Sequence, residues 1–273
     1  MNRLSNAWRL SKASWQVLSH DRELVLVPIV AGIVAVVAFL VVLSPGALLG
    51  GTGDDSSGSW ALYVFGALGL VAATWVFAIG QATVVAGAAQ RMDGGDPTVG
   101  SAFAVARTRT GRILEWAVLA TVVAIVLDII EERLGLLGRI VSWLGSVAFS
   151  VLSFLALPVI VFENLGAIDA FKRSSQLLKA TWGEQVAFSF GLGLLGFLLA
   201  LPAFLIGGLL VATGMVVLQA VGIIAAVAWI ALVMATTSAL SAVFKAALYR
   251  YAVGAPVDPA FSTTDLSGAF QHR

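Results

Sequence analysis

Residues 185–244 read QVAFSFGLGLLGFLLALPAFLIGGLLVATGMVVLQAVGIIAAVAWIALVMATTSALSAVF, and none of these 60 residues is charged. As one helix the stretch would be roughly 90 Å long, about three times the apolar thickness of a bilayer. It therefore has to cross an apolar phase twice, with Thr213-Gly214 as the place for the turn. Backbone amides find no water in lipid, so both crossings must be helical.

Four more runs of the same kind precede it: Leu24–Leu43, Trp60–Ala89, Ile113–Ile130 and Ile140–Phe162. Three are close to the roughly 20 residues that a bilayer core requires, and the first 20 or so residues of the longer Trp60–Ala89 suffice to cross. The expected fold is all-α: a polytopic membrane protein with six transmembrane helices plus two or three cytoplasmic interfacial amphipathic helices. Residues 1–254 form a single transmembrane domain and 255–273 a short cytoplasmic tail. Composition agrees, with 59% hydrophobic and 11% charged residues, against about 25% charged in soluble domains. The first apolar run follows a polar stretch with no small-residue cleavage site, so it is expected to remain as a span.

Charge sets the orientation. With the N-terminus in the cytoplasm, fourteen of the sixteen Lys/Arg residues fall on that side, and only Arg133 and Arg139 lie outside. The positive-inside bias then places both termini in the cytoplasm and the protein in the cell membrane. The net charge of +1 gives no ground for a nucleic-acid partner.

Two cytoplasmic stretches look alike: Lys12-Ala13-Ser14-Trp15 and Lys179-Ala180-Thr181-Trp182. In the first, Leu4, Trp8, Ser11, Trp15 and Leu18 share one helical face; in the second, Phe171, Ser175, Leu178 and Trp182 do. Trp8, Lys12, Trp15, Phe171, Lys179 and Trp182 are therefore candidates for the membrane interface, with rings at headgroup level and cations toward water. A third stretch, Asp96–Trp116, occupies the same place before the third span, although Arg109 interrupts its apolar stripe. Arg91–Gly95-Asp96-Pro97 also matches Arg250–Gly254-Ala255-Pro256 in spacing. These correspondences suggest three parallel units, 1–92, 93–162 and 163–254, each an interfacial helix followed by a transmembrane hairpin. The bland alternative is that any polytopic protein carries basic, Trp-tipped loops on its inner side.

The run from Pro158 through Glu163, Gly166, Ala170-Phe171, Arg173-Ser174 and Leu177 to Lys179 combines a late proline, a Glu at the span end and an Ala-aromatic-x-Arg-Ser helix. Together with Leu248-Tyr249-Arg250-Tyr251 and Gly254, it resembles uncharacterised six-pass membrane families of bacteria and archaea. These are similar to the membrane domain attached to some glycerophosphodiester phosphodiesterases. The resemblance implies a six-helix fold and no established activity, since the phosphodiesterase is a separate soluble domain with no counterpart here.

Few residues invite chemistry. There are no cysteines, which excludes disulfides, thiolate nucleophiles and Cys-bound metals. His20 and His272 lie outside the spans, so neither a His-bound metal nor a Ser-His pair is expected within the membrane. A serine–lysine pair would have to use Lys245, near the inner boundary. Asp128 and Glu163 are the acids that touch spans, and burying an ionisable group in lipid is expensive enough to single them out. Asp128 stands beside Glu131 and Glu132, where an outer headgroup layer would also hold it. Glu163 reads either as a staple to Lys172, Arg173 or an arginine of the preceding unit, or as an ion or substrate ligand. Gln81 and Gln219 can bond between helices or line a path, and Arg107, Arg109 and Arg112 can hold anionic headgroups or simply mark the inner side.

The expectation is a non-enzymatic protein that organises membrane, through lipid or through another copy or another membrane protein. No cofactor and no metal are expected. The alternative is a transporter or channel for a small or lipid-like solute, disfavoured because the spans hold so few polar groups. The charge split makes the topology testable. In this cysteine-free chain, Ser57→Cys should react with an impermeant reagent from outside, and Gly268→Cys only after the membrane is opened. The reverse pattern would invert the topology.

Overall fold

The computed structural model describes residues 14–15, 23–50, 59–179 and 182–256. Every regular element among the described residues is a helix. Five segments are long and apolar enough to cross a membrane: 23–49, 60–92, 110–163, 195–212 and 216–252.

Helix α1 (Glu23–Gly50) and helix α2 (Ser59–Met92) make the first hairpin. Glycines close it along its length. A Cβ at Gly46 would stand 2.8 Å from Phe65, one at Gly69 2.9 Å from Phe39, and one at Gly80 2.4 Å from Ala31. Helices in lipid associate through such close approach, because the surrounding tails are as apolar as the side chains. α1 continues beyond Leu43, the end of the first apolar run, to Gly50. Pro45 supplies no amide for the carbonyl of Val41, and the Ser44 hydroxyl donates to that carbonyl instead, at 2.9 Å.

Helix α3 (Val99–Arg107) begins at Thr98, whose hydroxyl accepts from the Ser101 amide while the Ser101 hydroxyl accepts from the Thr98 amide. This reciprocal cap lies two residues inside the third stretch, which begins at Asp96. The helix stops at Thr108, short of the expected Trp116, and helix α4 (Thr110–Leu152) follows. α4 is not one rod. At Gly135 the backbone takes φ 57° and ψ −128°, and the chain turns back on itself. Trp116 stacks on Phe149 at 5.8 Å, and Arg139 meets Glu131 at 3.4 Å; a straight helix would hold residues 116 and 149 about 50 Å apart. The expected spans at 113–130 and 140–162 thus lie on two legs of one folded segment.

A break at Ser153–Leu155 leads into helix α5 (Ala156–Glu163) and then helix α6 (Ala167–Lys179). α6 buries Ala167, Ala170, Ser174 and Leu178, while Ile168, Asp169, Lys172 and Gln176 are exposed. This differs from the expected stripe through Phe171 and Ser175. Small residues let α6 dock on α5 and α4, and the Ser174 hydroxyl accepts from the Leu155 amide at 3.0 Å, satisfying a donor left free by the break. Phe171 is half-buried and stacks on Phe149 at 5.7 Å.

Helix α7 (Trp182–Ala212) and helix α8 (Val216–Ala252) make the last hairpin, turning at Thr213–Met215 as expected. Gly207 and Gly222 hold it close: a Cβ at Gly222 would lie 2.7 Å from Leu210. The Trp229 indole donates to the Leu199 carbonyl at 2.7 Å, beside the ladder position that Pro202 leaves empty.

α2, α5 and α8 pack on one another; α1 lies against α8, and α4 against α2. No comparable contact among the described residues joins α7 to α5. The core sits toward one end, built from Val84, Ile113, Leu155, Ile160 and Phe244 among small alanines. At this basic end α2, α5 and α8 each finish on a left-handed residue: Gly94 (φ 79°), Asn164 (φ 56°) and Gly254 (φ 73°). The Gly95 amide bonds the Gln90 carbonyl and the Ala255 amide the Arg250 carbonyl, the same six-to-one closure. Gly94, not Gly95, is therefore the counterpart of Gly254, one residue away from the spacing match in the sequence.

The crossing at Gly80 gives a direct test. Gly80→Ala should lower stability by about 1–3 kcal/mol through overpacking, read as a lower Tm in detergent. Adding Ala31→Gly should recover most of the loss. An unchanged Tm in the single variant would mean that α1 and α2 do not approach there.

Candidate functional site: a clamp at the basic end and a cleft beside it

The Glu163 carboxylate terminates α5 and stays one-quarter exposed. Arg173 of α6 reaches back with its Nε 3.2 Å from one oxygen and 3.3 Å from the other. The Tyr249 hydroxyl donates to the same carboxylate at 2.9 Å, and its ring stacks on Phe162 at 5.1 Å. One anion thereby joins the ends of α5, α6 and α8. Of the partners open to Glu163 in the sequence, Arg173 is the one beside it, while Lys172 pairs with Asp169 at 3.5 Å. Tyr249 was not foreseen, because nothing local links two residues 86 positions apart.

A second tie lies one residue on. Arg250 bonds Asp93, just past α2, and donates to the Ala89 carbonyl at 3.4 Å. The hydrogen bond from Arg250, assisted by its charge, holds the Asp93 carboxyl below its ordinary range despite partial desolvation. A lowered folded-state value means that this stabilisation is present above the usual carboxylate pKa and fades as pH falls through the lowered one.

The other candidates separate. Arg112 is matched by Glu115 at 2.7 Å, and Arg109 turns inward to the Val161 carbonyl at 3.3 Å. Arg107 is exposed and has no carboxylate partner among the described residues. The three arginines therefore do not form one site. Glu115 also accepts from the Ala167 amide at 3.3 Å, an acid at the start of α6. A Cβ at Gly166 would come 2.9 Å from that carboxylate, so glycine keeps the space open. Asp128 is exposed on the first leg of α4, away from Glu163 and Arg173. Trp15 is half exposed. Trp8 and Lys12 lie outside the described residues, as do the side chains of Lys179 and Trp182.

Beside the clamp is an open cleft of about 510 Å³, in the range of small-molecule sites. α2 contributes Thr74, Phe77 and Gln81, α4 Trp116, α5 Leu157 and α7 Gly193. α8 contributes Met234, Thr237, Ser238, Ser241 and Lys245 at helical spacing, one face of one helix. The cleft occupies the place where α7 lacks the packing that α1 and α4 find. Gln81 donates to the Ser238 hydroxyl at 2.6 Å, as expected of a glutamine between helices. Gln219 bonds the Val211 carbonyl at 3.0 Å and closes the α7–α8 turn. Lys245 stands with its Nζ 4.9 Å from the centre of the Phe154 ring. Among the described residues it has no carboxylate partner, and no hydrogen bond joins it to Ser241. Reading each polar residue of α8 alone hides this site; the spacing 234, 238, 241, 245 is the signal that finds it.

No three His, Asp or Glu residues among those described come together as a metal site. The fold and its apolar surface define an all-helical protein of membrane type. Comparison with known families then gives the membership: the chain belongs to DUF6159, a family of unknown function, whose pattern matches residues 60–257. An uncharacterised family was expected, but the match brings no link to glycerophosphodiester phosphodiesterases. No curated protein matches the chain.

The clamp predicts a pattern of losses. Glu163→Ala should cost about 1–3 kcal/mol, whereas Glu163→Gln should cost less because its amide oxygen still accepts from Tyr249. Glu163→Ala combined with Arg173→Ala should cost less than the sum of the single changes. Strict additivity in thermal unfolding would separate the two residues.

Proposed function

We propose that this chain is a six-pass membrane protein that holds a lipid or lipid-like molecule without transforming it. The reading places 1–254 in the cell membrane as one domain, both termini in the cytoplasm, with the clamp at the inner face. The reversal at Gly135 supports two crossings within the 54-residue apolar segment 110–163. Three left-handed caps on α2, α5 and α8, and the packing of those helices on one another, support parallel units 1–92, 93–162 and 163–254. The exposed face of α6, with Ile168 beside Asp169 and Lys172, supports a position at the lipid–water boundary.

The observation that carries the function is the cleft. It combines polar groups from Gln81 to Lys245 with the apolar side chains of Phe77, Trp116, Leu157 and Met234. An amphiphile can engage both kinds of lining; a fully solvated solute engages only the polar one. Catalysis is disfavoured because a serine nucleophile needs a base within hydrogen-bond reach, and Ser241 and Lys245 are not so joined. Transport is the second reading. In its favour, the polar positions from Lys245 past Ser238 to Thr74 extend about 20 Å along the spans.

Ser241→Phe, which fills the cleft, provides the test. The purified wild-type chain should retain lipid through extensive detergent exchange, measured by mass spectrometry of extracts. The variant should lose it at a nearly unchanged Tm. Equal retention in both would remove the cleft as the binding place.

A further inference from the structure

Resting on the reading of the cleft as an amphiphile site, we infer that its ligand carries an anionic oxygen head group, seated on Lys245 and Ser241. A lysine about two turns inside the end of an apolar helix is costly unless something offsets its charge. The described acids are engaged elsewhere or remote: Glu163 with Arg173 and Tyr249, Asp93 with Arg250, Glu115 with Arg112 and the Ala167 amide. The Phe154 ring, 4.9 Å from Nζ, attracts the cation through its face but supplies no counter-charge. An anion entering the cleft would supply it.

The neighbouring groups fit the same occupant. Ser241 lies one helical turn from Lys245, lines the cleft and has no hydrogen-bond partner among the described residues. Its hydroxyl and the ammonium are both donors, and the Gln81 amide, which donates to Ser238, lies deeper in the cleft. A cation flanked by neutral donors, with no acid on its wall, selects an anion over a cation or a neutral head. The apolar part of the lining selects a tail: Phe77, Leu157 and Met234 offer nothing to a free phosphate or acetate ion. The shared chemistry is a carboxylate or phosphate head on an alkyl chain, from a free fatty acid or from a phospholipid. Lys245 is only about 7.5 Å along the helix from Arg250 at the basic end, so the head would sit just beneath the boundary and the tail deeper.

Trp116 lines the cleft and reports on it. The full chain in neutral detergent is titrated with 9,10-dibromostearate, whose bromines quench nearby indoles. Part of the quenching should vanish in Trp116→Phe. Lys245→Gln should weaken that part about tenfold or more, the effect of losing a charge-assisted bond, and Lys245→Arg should preserve it. Competition names the source: displacement by oleate alone indicates a carboxylate head, displacement by oleoyl-lysophosphatidylglycerol alone a phosphate head, and displacement by both the shared chemistry. Oleyl alcohol should compete about tenfold less well. If it competes equally, or if Lys245→Gln leaves quenching unchanged, the anionic head is overturned while amphiphile binding stands. Absence of any Trp116-dependent quenching overturns both. Should Lys245→Gln fail to fold, the comparison of oleate with oleyl alcohol on the wild-type chain decides alone.

Discussion

Everything at the basic end turns on one carboxylate. Glu163 leaves α5 just as the chain exits its apolar surroundings, and its two oxygens take the Arg173 guanidinium and the Tyr249 hydroxyl together. A lone carboxylate at that depth would cost free energy; one with a cation and a neutral donor is both solvated and fixed in angle. The angle matters because α6 departs within a few residues. With Asn164 in the left-handed region and Gly166 leaving room for Glu115, the chain turns through a very short connection and lays α6 back over α5. Ala170 and Ser174 then meet the break at Leu155, and the buried end of the bundle is complete.

The contrast between the two ends follows from composition. Near the clamp, alanines and serines dominate the facing surfaces, so helices approach closely and buried residues accumulate. Farther away, large side chains such as Leu136, Leu205 and Val216 point outward at 81%, 70% and 78% exposure. There each hairpin is held mainly by its own glycines. In water such a surface would be prohibitive; in hydrocarbon it is the ordinary condition of a span. The cleft is one place where close packing fails, on the side of α7, and it is also where the polar residues of α8 gather.

Much of this was legible from residue order. The charge-free length of 185–244 demands a turn, and Thr213-Gly214 provides it because a glycine there can take a positive φ of 72°. Glu163 and Arg173 were readable as partners because ten residues across a tight turn bring a span end over a helix. Aromatic spacing picks out Phe171 and Ser175 on α6, whereas the face that docks on the rest of the protein carries Ala170 and Ser174. The reversal at Gly135 was expected only as a gap between two apolar runs, since Leu136 and Leu137 beside it disguise a turn as helix. Tyr249 and the Lys245 cleft needed the packing: the spacing 234, 238, 241, 245 marks one face of α8, but which helices become its neighbours is not written in that spacing.

The place of the two ties in the chain has a consequence for biogenesis. Asp93 and Glu163 emerge from the ribosome long before Tyr249 and Arg250, the adjacent residues that bind them. Each hairpin carries its own close contacts, but the ties from α8 to α2 and α5 wait for its last turn. Domains form in order of synthesis, N-terminal parts first, so the final step here is a locking step made by the last helix. A chain cut short before Tyr249 would leave Asp93 without the Arg250 guanidinium and Glu163 with Arg173 alone. Quality control in the membrane would have a plain signal to read: unpaired charge at the ends of finished spans.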